Sequence, residues 1–151
     1  YATTGWLSAS AATLLAEFQL HTVATTIGDQ AITEIGDGTA NERYGVYQAT
    51  GDNLLYGYVY DGGSLDMNSL VAGAMSVNTT YKGGIALSAN SGIAAKNGVL
   101  SALDAAFAMP TVTTLAIGAT ATNASPMAGA IRRVSYLPQR MPNAQLQALT
   151  S

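Results

Sequence analysis

Apolar and polar residues alternate in short runs along this chain, and glycine, asparagine and aspartate break the runs at close intervals. Thr13 to Leu20 sets the pattern, with Leu14, Ala16, Phe18 and Leu20 on one side of an extended chain and Thr13, Leu15, Glu17 and Gln19 on the other. A period of two with one apolar side predicts a half-buried β-strand. Ala31 to Ile35 reads as a second strand and stops at Gly36-Asp37-Gly38, where glycine supplies the positive φ of a turn. Arg43 to Ala49 and Leu54 to Tyr60, joined across Thr50-Gly51-Asp52-Asn53, read as a hairpin. Ser69 to Val77 predicts another strand, with Gly73 marking a bulge or a close backbone approach. Lys82 to Ser88, Ile93 to Lys96 and Val99 to Leu103 follow, the last two hinged on Asn97-Gly98, a type I′ dipeptide. Thr113 to Gly118 and Gly129 to Leu137 complete a set of about ten short strands.

The C-terminal segment departs from this rhythm. Pro138-Gln-Arg-Met-Pro142 is a rigid bend, and Asn143 to Ser151 predicts a short amphipathic helix. Asn143 has the side chain to cap its first turn, and Leu146 and Leu149, three residues apart, give it an apolar edge for docking. Short strands without interleaved helical segments, closed by one helix, predict an all-β antiparallel two-sheet sandwich spanning residues 1–151 as a single domain.

Composition narrows the setting. Only 10% of residues are charged, against roughly 25% in ordinary soluble domains. The net charge is −3 with six Lys and Arg, which argues against a nucleic acid partner because phosphates require a basic patch. With zero Cys, thiolate metal sites and thiol chemistry are absent. No apolar run has the length of a membrane-spanning helix. The opening Tyr1-Ala-Thr-Thr-Gly5 is neither a signal peptide nor an initiator methionine, so the chain is expected to belong to a longer or processed gene product. The low charge density leaves apolar surface, and a homo-oligomer is expected from it.

Candidate chemistry is sparse. Tyr56, Tyr58 and Tyr60 share one face of their strand, a row that suits sugar stacking, a protein contact, or plain cross-strand packing. Asp37 and Asn41, with Thr39 and Glu42 between and beside them, offer oxygen donors that a calcium ion could use, although an Asp-Gly turn explains the same residues. His21 is the only histidine and reads as the surface end of a strand. Trp6 reads as an anchor packed on the sandwich edge. Arg132 and Arg133, adjacent on a strand, point to opposite faces, and with Arg140 they read as structural. The nine acids include no pair at i and i+2 or i and i+4, the same-face spacings that suit hydrolysis by two carboxyls.

Lys82-Gly-Gly-Ile-Ala-Leu-Ser88, the Asn97-Gly98 hairpin, Thr113-Thr-Leu-Ala-Ile-Gly118 and above all Gly129-Ala-Ile-Arg-Arg-Val-Ser-Tyr-Leu137 with Pro138 to Leu149 resemble the concanavalin A-like lectin/glucanase (laminin G-like) domains of tailed-bacteriophage structural proteins. That resemblance implies a jelly-roll sandwich located in the virion, with other virion proteins as partners. Its members usually carry Ser at the position of Pro142, so Asn143 is expected to take over the cap. The expected function is a non-enzymatic fibre, spike or capsid-decoration module acting through assembly. The alternative is a carbohydrate-binding domain that meets host or environmental glycans through Tyr56, Tyr58 and Tyr60. A glycan-degrading enzyme is a third reading, and the spacing of the acids speaks against it.

Overall fold

The structure is a computed structural model that describes residues 5–151, with Thr25 and Thr26 described in their backbone only. Tyr1 to Thr4, on which the reading of the chain's start rests, lie outside the described residues. Ten strands and two helices are present among them. In chain order they are β1 (Ala11–Leu20), α1 (Ala24–Ile27), β2 (Gln30–Gly36), β3 (Arg43–Gln48), β4 (Leu55–Asp61) and β5 (Ser64–Val71). There follow β6 (Thr80–Ser88), β7 (Ser91–Lys96), β8 (Val99–Leu100), β9 (Thr114–Ile117), β10 (Gly129–Leu137) and α2 (Asn143–Thr150).

These strands form two five-stranded antiparallel sheets, one in the order β10-β1-β6-β7-β8 and the other β5-β4-β3-β2-β9. The alternation in β1 is realised: Leu14, Ala16, Phe18 and Leu20 point between the sheets. Opposite them lie Ile32 and Ile35 of β2, Tyr44 and Val46 of β3, and Leu55 and Val59 of β4, all fully buried. Burying such side chains is worth about 1.5–3 kcal/mol each, and this interlayer core holds the two sheets together. The architecture is a jelly-roll sandwich of concanavalin A type with a short C-terminal helix; the strand pattern predicts the sandwich and the helix, and the resemblance implies the jelly roll. Close approach of the layers needs small residues. A Cβ built on Gly57 would lie 2.7 Å from the Cβ of Ala94 in the other sheet.

Several boundaries differ from the sequence reading. The strand expected at Ser69 to Val77 is β5, which begins at Ser64 directly after the Gly62-Gly63 turn and ends at Val71. Gly73 therefore sits in a loop at φ 88°, and its carbonyl receives the Lys96 ammonium. The hairpin at Asn97-Gly98 forms with positive φ at both residues, but β8 pairs over only two residues. Trp6, expected to pack as an anchor, meets Tyr136 edge-on with ring centroids 5.0 Å apart but stays 39% exposed.

The expected roles in α2 are corrected. Pro142 occupies the cap position and no side chain caps the helix; Asn143 Oδ1 instead accepts from Arg140 Nη2 at 2.8 Å. Arg140 also donates from Nε to the Ser91 carbonyl, so this pair ties the helix start to the β6–β7 turn. Docking uses Leu146 and Thr150, one helical turn apart, while Leu149 is 51% exposed. Residues four apart lie closer to one line along a helix than residues three apart, and the short helix presents only that line to the sheet. Leu146→Ala is expected to cost about 2–4 kcal/mol in urea denaturation. Leu149→Ala is expected to stay within about 0.5 kcal/mol of the parent.

Candidate functional site

The outer face of the second sheet carries the densest chemistry in the molecule. In β3, Tyr44, Val46 and Gln48 turn inward, which leaves Arg43, Gly45 and Tyr47 outward. The antiparallel register sets Tyr47 opposite Tyr56, Gly45 opposite Tyr58 and Arg43 opposite Tyr60. On the other side of β3, Glu34 of β2 stands opposite Gly45. That glycine lets the strands approach closely, because a Cβ there would lie 2.3 Å from the Thr33 carbonyl oxygen.

Glu34 is fully buried. Its Oε2 accepts the Tyr58 hydroxyl and Arg43 Nη1, the latter at 3.2 Å, and its Oε1 accepts the backbone N–H of Ala121 at 2.5 Å. A carboxylate held away from water is tolerable only with such partners. Ala121 belongs to the segment between β9 and β10, low in sequence complexity, that folds over β2. Ala31 N donates to the Ser125 carbonyl at 2.9 Å, and Ala128 N donates to Gln30 Oε1 at 2.7 Å. This cover explains why every residue of β2 is buried although the strand has an outward face.

Beside the buried carboxylate lies a cleft of about 140 Å³, lined by Asp29, Arg43, Tyr47, Tyr58, Tyr60 and Thr120 among others. The Arg43 guanidinium lies over the Tyr60 ring at 4.3 Å and Nε donates to the Ala40 carbonyl at 3.1 Å. Nη2 meets no acceptor among the described residues. Burial, then the charge and hydrogen bond of Glu34, push the Tyr58 hydroxyl well above the usual phenol range. Tyr47 is pushed up to about 12, chiefly by burial and then by Asp29.

Tyr56, Tyr58 and Tyr60 thus share a face, and they are members of a longer aromatic row. Tyr47 stacks on Tyr56 at 5.4 Å and meets Tyr58 edge-on at 5.3 Å; Tyr58 meets Tyr60 at 6.1 Å. Tyr58 itself is only 4% exposed, so it forms the floor and cannot serve as an open stacking platform. Arg43, Glu34, Tyr47 and Asp29 were not singled out from the sequence. Arg43 and Tyr47 were legible as outward neighbours of the tyrosine row once β3 and β4 were read as a hairpin.

The remaining candidates are placed elsewhere. Asp37 Oδ1 accepts from Thr39 N and Thr39 Oγ1 at 2.7 and 2.8 Å, so its carboxylate closes its own turn. The Asn41 side chain lies against Gly63 of the β4–β5 turn, and the Asn41 backbone carbonyl accepts from Gly63 N. Among the described residues no three of His, Asp or Glu gather in a metal-binding group, and Asp37 and Asn41 serve the loops that hold Glu42 and Arg43. Asp61 and Glu42 do approach each other across chain segments, and burial with the Glu42 charge raises the Asp61 carboxyl above its usual range. Glu42 is committed to backbone N–H groups at Gly62 and Thr111, which makes it a clamp for two loops. His21 is exposed, and Arg132 pairs with Glu17 at 3.5 Å on the surface.

No family model and no curated protein matches the sequence. Among solved structures the chain is similar to the CBM40 carbohydrate-binding module of Ruminococcus gnavus IT-sialidase bound to α2,3 sialyllactose, with a TM-score of 0.69 at 14% identity over 95% of this chain and 84% of that one. It is also similar to the leech intramolecular trans-sialidase, with a TM-score of 0.73 at 15% identity over 95% of this chain and 23% of that one. A third similar structure is the NanB sialidase from Streptococcus pneumoniae, with a TM-score of 0.74 at 11% identity over 96% of this chain and 25% of that one. The chain therefore spans about a quarter of the two longer sialidases. What is shared at these identities is the fold, and the CBM40 module shares it over 84% of its own length.

These structures overturn the assignment to tailed-phage structural proteins. The virion localisation, the virion protein partners and the role as a fibre, spike or capsid decoration fall with it. The physical reason lies in the segment that carried the resemblance. Gly129 to Leu149 closes a sandwich by pairing β10 with β1 and burying Leu146, a task set by the fold and independent of function.

Alkaline titration tests the geometry of the row. Above the ordinary phenol value of 10.0 an unfolded chain loses tyrosine protons that folded Tyr58 and Tyr47 retain. The folded state then binds more protons, so stability present in full below pH 10 falls as the pH rises. Tyr58→Phe is expected to flatten this alkaline fall in chemical denaturation measured at a series of pH values, while Tyr47 ionises near pH 12 in the folded protein by ultraviolet difference absorbance.

Proposed function

We propose that this chain is a non-catalytic carbohydrate-binding module that takes a carboxylate-bearing sugar of the sialic acid class into the Arg43 cleft. The observation that carries this reading is the state of Arg43. Glu34, the Ala40 carbonyl and the Tyr60 ring fix its guanidinium at the cleft wall, and Nη2 meets no acceptor among the described residues. A planar donor held in place before the ligand arrives binds a carboxylate without the entropic cost of ordering a long side chain. Tyr47 and Tyr60 supply apolar walls for the CH surfaces of a sugar ring, above the floor formed by buried Tyr58. Asp29, whose Oδ1 is held by Thr50, and Ser125 supply oxygens for its hydroxyl and amide groups.

Size supports one sugar residue as the occupant. The cleft's 140 Å³ is well below the roughly 300–1,000 Å³ of pockets for drug-sized ligands. The fold likeness to modules bound to α2,3 and α2,6 sialyllactose agrees in ligand chemistry.

Titration calorimetry with sialyllactose and with lactose separates this from a neutral-sugar site. Binding of sialyllactose and none of lactose is the expected result. Arg43→Lys keeps a cation beside buried Glu34 but removes the planar fork, and is expected to weaken sialyllactose at least about tenfold in a folded protein. Equal affinity of the lysine variant, or preference for lactose, contradicts the proposal.

A further inference from the structure

The aromatic face extends past the cleft. Tyr47 lines the cleft, and Tyr56 stacks on it with the ring planes 26° apart. Across from Tyr56 on edge strand β5 stands Leu70, 45% exposed. The Tyr56 hydroxyl donates to Asp52 Oδ2 at 2.7 Å, and Asp52 Oδ1 accepts from Leu54 N at 2.9 Å, which fixes the carboxylate at one margin. Asn68 lies at the other margin. Its Oδ1 accepts the Tyr47 hydroxyl at 3.3 Å, which leaves its amide N–H groups as donors.

We infer that Tyr56 and Leu70, flanked by Asp52 and Asn68, form a second subsite for a neutral sugar linked to the acidic sugar in the cleft. The inference rests on the reading of the cleft as a sugar site. Three features select the occupant. An aromatic ring beside an aliphatic side chain matches the CH face of a pyranose, whose hydroxyls project at the rim where Asp52 accepts and Asn68 donates. Arg43 lines the cleft, which offsets Asp29 there, whereas Asp52 stands beside Tyr56 with no cation among the four residues of the patch, so the acidic residue is directed to Arg43 and the neutral one to Tyr56. Tyr47 is the common wall, so the two subsites adjoin and a glycosidic linkage can cross from one to the other. Tyrosine ordered by stacking and a carboxylate adds contact area at low entropic cost. The ligand read by the whole face is then a sialylated oligosaccharide rather than a free acidic sugar.

Calorimetry with the methyl glycoside of N-acetylneuraminic acid and with sialyllactose tests this on the parent protein, Tyr56→Ala and Leu70→Asp. The parent is expected to bind sialyllactose about tenfold more tightly than the monosaccharide. Both variants are expected to lose that advantage and keep the monosaccharide affinity, and Leu70→Asp does so without disturbing the tyrosine stack. If sialyllactose gains nothing over the monosaccharide, or if both variants keep the gain, the second subsite is overturned while the cleft reading survives. If neither ligand binds the folded parent, both fall.

Discussion

A carboxylate with no route to water governs one face of this protein. Glu34 sits on a central strand under a layer of other groups, and a charge in that position must find its hydrogen bonds inside the protein. It finds them on three different segments: Arg43 on β3, Tyr58 on β4 and the Ala121 N–H between β9 and β10. Satisfying one side chain thus fixes the hairpin, the covering loop and the arginine relative to each other. The cleft is what remains between them.

The same constraint accounts for residues that otherwise look out of place. Glycine in the middle of β3 weakens a strand, yet Gly45 faces Glu34 and Tyr58 at once and lets the β2 and β3 backbones close up around them. The small-residue segment from Ala119 to Met127 carries few side chains of its own to pack. It contributes backbone groups instead, one to Glu34 and others to β2. Its low complexity is that of a lid that binds by main chain.

The opposite face solves a different problem. The first sheet is closed by β10 and covered at one end by α2, which is held by Leu146, Thr150 and the Arg140 contacts to Asn143 and Ser91. These are closure devices without exposed chemistry, which is why a resemblance built on them pointed to a setting that the fold does not share with its structural neighbours. The cleft that the proposed function uses lies instead on the outer face of the other sheet and its loops, where sequence can vary without loss of the core.

The alternation of apolar residues by itself determined the strands, the sandwich and the shared face of Tyr56, Tyr58 and Tyr60, because a period of two fixes which side chains face the core. It also made the Asn97-Gly98 and Thr50 to Asn53 turns legible, since those dipeptides and short polar runs have local conformational preferences. Which residues gather beside the tyrosines was decided by tertiary structure alone. Glu34, Arg43, Asp29 and Thr120 come from segments up to 91 positions apart in the numbering, and their convergence depends on strand register and on where the β9–β10 loop lands. The same holds for Leu149 and Asn143. A helical pattern says which residues share an edge, but only the packed sheet chooses which line of that edge is buried and which polar group is taken by an arginine from outside the helix.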